Sequence, residues 1–159
     1  MSEDTRADLI EFKRLNSSID LEGMSFDKVI ELIVGFLDSS NLDALLADCN
    51  LIVDVNVLSK IQYSLGIAHQ ALIGTATAAQ LSSARVLLWN LYDAQIEGSN
   101  EKKLIRVAVS GLYDEESAEF ATFGSEAMFE TFFSVLLDLS PGCCKRFADF
   151  AIRRVAQWK

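Results

Sequence analysis

The chain has 159 residues, half of them hydrophobic, with ten phenylalanines and a single proline. This length and composition suit one domain with a well-filled core, and they exclude a disordered chain. The formal net charge of -9 argues against general binding to nucleic acid or to an anionic membrane surface. We therefore expect a single helical domain over residues 1–159, with no nucleic-acid partner and no membrane partner.

The N-terminal residues MSEDTRADLIEF lack the basic and apolar regions of a signal peptide. No run of apolar residues is long enough to predict a transmembrane helix. The three cysteines, two of them adjacent, make a poor disulfide framework. These features predict a soluble, cytoplasmic protein in a reducing environment.

The first third of the chain predicts three helices separated by polar breaks. The first covers residues 3–15, the second begins after an N-cap at Ser25, and a shorter third ends near Asn50. The second has its apolar residues at the spacing of one helical face: Phe26, Val29, Ile30, Ile33 and Leu37. Residues 51–57 contain enough β-branched side chains to suit a short strand, but no second predicted strand is available to pair with them. They are predicted to be helix or connector.

Two helices are predicted next, over residues 57–73 and 78–96, with a turn between them. No Asp, Glu, Lys or Arg lies between Lys60 and Arg85, and small residues are frequent there. Because small side chains let helix backbones approach closely, we expect a central helical hairpin surrounded by the other helices. An alternative interpretation of residues 61–84 is an apolar groove or a homodimer face.

The last third of the chain predicts four helices and an aromatic core. The helices cover residues 101–113, 114–124, 126–139 and 141–158, with Ser125 and Pro141 as start signals. Aromatic residues at helical spacing are expected to share one core: Phe129, Phe132, Phe133, Phe147, Phe150 and Trp158. The fold is therefore predicted to be all-α, a compact array of about seven to nine helices with little or no sheet.

The sequence contains no catalytic, metal-binding or phosphate-binding signature. His69 is the only histidine, and Ser64 lies at the wrong helical spacing to face it. Cys143 and Cys144 precede two basic residues at a predicted helix start, a setting that lowers the pKa of a thiol. The alternative interpretation is that one of these two sulfurs packs inward and the other is incidental, and Cys49 is predicted to lie in the core. We expect no cofactor, no metal and no enzymatic activity.

Two clusters of carboxylates are the predicted partner-binding residues. The first lies on one face of the first helix, and the second lies at a predicted helix start. They are Asp4, Asp8 and Glu11, and then Asp114, Glu115, Glu116 and Glu119. A solvated helical face, or a cover formed by the basic last helix, is the alternative interpretation of either cluster.

These features predict a non-catalytic acidic module for protein–protein interaction whose partner is a basic protein. One concrete form is a stoichiometric inhibitor of the antitoxin or toxin-immunity type, in which carboxylates mask the cationic active site of a toxin. A first alternative is a helical enzyme or small-ligand-binding bundle with a cavity lined by His69, Gln70 and Tyr63. A second alternative is a self-associating structural subunit that uses residues 61–84.

Overall fold

Eight α-helices and no strand make up the described residues, 6–114 and 120–158, in this computed structural model. The prediction of an all-α array of seven to nine helices is confirmed. None of these helices is long and apolar enough to cross a membrane. The helices are α1 (Ala7–Ser18), α2 (Phe26–Phe36), α3 (Ser39–Asp48), α4 (Val55–Leu72), α5 (Ala78–Asp93), α6 (Asn100–Val109), α7 (Phe120–Leu139) and α8 (Pro141–Gln157).

Polar side chains at the helix starts explain several of these boundaries. Ser25 accepts a hydrogen bond from the backbone of α2, and Thr77 forms a capping box with Gln80 at the start of α5. Asp54 accepts hydrogen bonds from the first backbone amides of α4. Because this cap starts α4 at Val55, residues 51–54 form a connector rather than a strand.

Helix α7 contains the break that the sequence predicts between residues 114–124 and 126–139. Gly124 has a φ of 84°, a left-handed conformation that glycine adopts without steric cost. The next residue, Ser125, is buried, and its hydroxyl donates a hydrogen bond to the carbonyl of Leu21. This contact fixes the longer part of α7 against the segment that joins α1 to α2.

An aromatic core lies between α2, α7 and α8, as predicted. The Phe147 ring is fully buried, and its centroid lies 4.7 Å from that of Phe132, 5.4 Å from Phe133, 5.2 Å from Phe36 and 6.1 Å from Phe129. These separations match the edge-to-face and tilted arrangements that aromatic rings prefer. Two further predicted members of this core, Phe150 and Trp158, are partly buried against it.

The small-residue hairpin forms, but it does not lie at the centre of the array. Helices α4 and α5 pack against each other, and only Leu81, Ala84 and Leu88 of α5 are buried. Instead α6, which packs against α4, α5 and α7, has no exposed residue. Much of α5, and with it part of the hairpin, is therefore exposed at the surface.

Candidate functional site

On the predicted acidic face of the first helix, Asp8 and Glu11 pair with arginines of the same chain. Asp4 lies outside the described residues. Asp8 is 5% exposed and accepts hydrogen bonds from the Arg6 guanidinium, at 2.8 Å from Nη2 and 3.2 Å from Nε. Glu11 accepts a hydrogen bond of 2.7 Å from Nε of Arg14. Neither Asp8 nor Glu11 presents an unpaired charge to a partner.

Arg14 also connects α1 to α8. Its Nη2 lies 2.7 Å from a carboxylate oxygen of Asp149 and 3.4 Å from the carbonyl oxygen of Lys145. In the first part of α8, Arg146 pairs with Asp48 of α3. The basic last helix therefore forms ion pairs and hydrogen bonds with other helices of the same chain.

The second predicted cluster lies largely beyond the described residues. Asp114 is half-buried and follows α6, whereas Glu115, Glu116 and Glu119 fall in the segment that the structure does not describe. The prediction that they bind a partner stays a prediction.

A row of carboxylates that the sequence analysis did not select lies on α7. Glu126, Glu130 and Asp138 follow an i, i+4, i+12 spacing, which spreads them over about 120° of the helix surface, and we call these three residues the α7 acidic row. Glu130 and Asp138 are exposed and Glu126 is half-exposed. None of the three forms an ion pair with a described residue, so each remains available to a partner's cation.

Cys143 and Cys144 are buried, contrary to the interpretation of a reactive thiol with a lowered pKa. Burial raises the pKa of the Cys144 thiol to about 12, with further contributions from Asp8 and Glu11. Burial and the neighbouring Cys49 likewise raise the pKa of Cys143 above its usual range. Both thiols are therefore protonated at neutral pH, because desolvation at the start of α8 outweighs the helix dipole.

A groove with a volume of about 760 Å³ lies between α2, α4 and the C-terminal part of α8. Of the three residues predicted to line a cavity, only His69 lines this groove, whereas Tyr63 and Gln70 do not. Gln62 also lines it. No serine, threonine or cysteine lines it. The groove therefore lacks the hydroxyl or thiol that a histidine-activated nucleophile requires.

Three charged groups at the rim of this groove, Lys28, Glu31 and Arg154, have partners within the chain. Lys28 lies 3.4 Å from Glu31, and its Nζ lies 4.3 Å from the centre of the Trp158 ring. Arg154 stacks over Phe150 at 5.0 Å. Within residues 6–114 and 120–158, no group of three or more His, Cys, Asp or Glu side chains is arranged to hold a metal ion.

The outer face of α4 and α5 is the clearest exposed apolar surface. Tyr63 is 65% exposed, Leu87 is 41% exposed, and both border a shallow depression of about 440 Å³. The small residues Ala79 and Ser83 line the same depression. We call this surface the α4–α5 face; no charged side chain lines its depression.

No protein-family model, curated protein or solved structure matches this chain. The functional argument therefore depends on the geometry and charge of the surfaces described above.

Proposed function

We propose that this protein is a non-catalytic binding module that recognises a basic protein through exposed carboxylates. The observation that carries the proposal is the α7 acidic row, in which Glu130 and Asp138 are exposed, Glu126 is half-exposed, and none of the three forms an ion pair with a described residue. One form of such a module is a stoichiometric inhibitor of the antitoxin or toxin-immunity type, which covers the cationic surface of a toxin.

The core side of α7 holds this row in a defined geometry. Phe129, Phe132 and Phe133 are at most 1% exposed, so the helix cannot turn without exposing the core. Residues four apart on a helix are separated by about 6 Å along its axis, which places Glu126 and Asp138 about 18 Å apart. A row of this length can contact several cations of a basic surface at once.

The charge of the whole protein adds to the effect of the row. A net charge of -9 attracts a basic partner before contact, and this attraction raises the association rate more than it lowers the dissociation rate. Salt screens the approach, because the Debye length is about 8 Å at physiological ionic strength. We therefore expect partner binding that weakens steeply as salt concentration increases.

Charge reversal on α7 tests this proposal. Partners are first captured from native lysate at low and high salt, then identified, purified and measured by surface plasmon resonance. Replacing Glu126 and Glu130 with lysine should reduce the association rate at least about tenfold, because it removes two attractive charges and adds two repulsive ones. The circular dichroism spectrum should not change, since Glu130 is exposed and Glu126 is half-exposed.

The matched control places the same charge change elsewhere on the surface. Glu22 and Asp43 are exposed carboxylates without an ion pair among the described residues, and their replacement by lysine alters net charge equally. The control should slow association much less than the α7 variant. Equal effects of the two variants, or no effect of either, would contradict a partner site on α7. Asp8 is unsuitable for this test, because its reversal would leave like charges inside the fold.

A second candidate function is self-association through the α4–α5 face. The protruding Tyr63 and the depression lined by Ala79 and Ser83 lie on one surface, as a two-fold symmetric interface requires. Two copies that each carry a charge of -9 repel one another elsewhere, whereas this surface has no charged lining residue. A second copy of the chain is therefore the occupant that this face fits.

Analytical ultracentrifugation over a concentration series tests this second candidate. The native protein should move from monomer to dimer as its concentration increases, and Leu87→Glu should keep it monomeric because the new charge would be buried between copies. Ile52→Glu is the matched control, because Ile52 is 86% exposed but lies in the connector before α4. A native protein that stays monomeric throughout, or a Leu87→Glu variant that still dimerises, would reject this candidate.

A further inference from the structure

Two cysteines that are distant in the sequence lie side by side in the fold. The Sγ atoms of Cys49 and Cys143 are 3.9 Å apart, although the residues are separated by 94 positions. Cys49 is the C-cap of α3, and Cys143 lies in the first turn of α8. The adjacent Cys144 has a different neighbour, because its Sγ donates a hydrogen bond to the carbonyl of Phe133 at 3.5 Å.

The surroundings of this pair allow the two sulfurs to move closer. A disulfide requires a separation of about 2.0 Å, so the gap must shorten by about 2 Å. Cys49 lies at a helix end, and Asn50 beyond it has a φ of 53°, after which the chain continues as the connector 51–54. A side-chain rotation with a small shift of this helix end can therefore close the gap without moving the middle of a helix.

We propose that Cys49 and Cys143 form a redox site that is converted to an intramolecular disulfide by a low-molecular-weight disulfide such as oxidised glutathione. Cys49 is half-buried and Cys143 is fully buried, so Cys49 reacts first. The pair joins α3 to the start of α8, two elements that otherwise meet through the ion pair between Asp48 and Arg146.

The reaction proceeds by two exchanges at sulfur. The Cys49 thiol loses its proton to solvent, and the thiolate attacks one sulfur of the oxidised glutathione. The glutathione S–S bond breaks, a Cys49–glutathione disulfide forms, and the leaving thiolate takes up a proton. The Cys143 thiol then loses its proton and attacks Sγ of Cys49, which releases the second glutathione thiol. Two protein thiols are thereby oxidised, and one glutathione disulfide is reduced to two thiols.

Oxidation of the purified, folded, full-length protein with oxidised glutathione tests the proposal. Intact mass should fall by the mass of two hydrogen atoms, and one free thiol of three should remain after denaturation. The melting temperature should increase by roughly 5–10 °C, because the new bond closes a long loop in the unfolded chain. Dithiothreitol should reverse both changes.

Cysteine variants identify the pair and keep the proposal falsifiable. Cys144→Ala is the matched control, which should still form the intramolecular disulfide. Cys143→Ala should stop at the Cys49–glutathione adduct, and Cys49→Ala should form no intramolecular disulfide. Cys143→Ser repeats the Cys143 test if the alanine variant does not fold. Absence of reaction, a persistent glutathione adduct on the native protein, or an intramolecular disulfide in Cys143→Ala would each overturn the proposal.

Discussion

Replacing Phe147 with alanine is expected to lower the free energy of unfolding by about 3–5 kcal/mol. The ring is fully buried and lies within about 6 Å, centre to centre, of four other phenylalanine rings. Those rings come from α2 and α7, so the space left by the truncated side chain cannot be filled by movement of one helix alone. The loss therefore includes both the buried apolar area and the remaining cavity.

Urea and thermal unfolding measure this loss. A cost of this size should lower the melting temperature by roughly 6–20 °C for a chain of this length. Tyr63→Ala is the matched control: it removes an aromatic ring that is 65% exposed, so the monomer should lose far less stability. If Phe147→Ala and Tyr63→Ala changed the melting temperature equally, the centre of the core would lie elsewhere.

Replacing Ser64 with alanine is expected to stabilise the protein by about 1–3 kcal/mol. Ser64 is fully buried in α4, and its hydroxyl has no hydrogen-bond partner among the described residues. A buried hydroxyl without a partner loses its hydration and gains nothing in return, so its removal relieves that cost. Alanine also has the higher helix propensity.

A second serine in the same helix separates the two contributions. Ser59 is exposed in α4, so Ser59→Ala changes helix propensity alone and should add no more than about 0.7 kcal/mol. Chemical denaturation of both variants gives the comparison. A Ser64→Ala variant that is less stable than the native protein would show that the hydroxyl has a partner in solution.

The proposed surfaces lie on different sides of the helix array. Helix α6 packs against both α5 and α7, so it separates the α4–α5 face from the α7 acidic row. The Cys49–Cys143 pair belongs to a third region, where α3 meets the start of α8. Each surface can therefore be altered by substitution without direct contact with the other two, which makes the experiments independent of one another.

The candidate site was predictable only in part. The sequence predicts an abundance of carboxylates, and the spacing of Glu126, Glu130 and Asp138 is visible in it. Whether a carboxylate is free depends on the cations that the fold brings near it. Arg6 and Arg14 neutralise Asp8 and Glu11, and Arg14 also reaches Asp149, 135 residues further along the chain.

The amino-acid sequence by itself determined the helical class, most helix boundaries and the aromatic core, because these follow from local interactions. Caps such as Ser25 and Thr77 act within one turn, and the apolar spacing of α7 defines which side of that helix is buried. Only the tertiary structure decided which helix is enclosed, which carboxylates remain unpaired and which cysteines meet. Those features depend on contacts between residues far apart in the sequence, and helical periodicity specifies a buried face without specifying what packs against it.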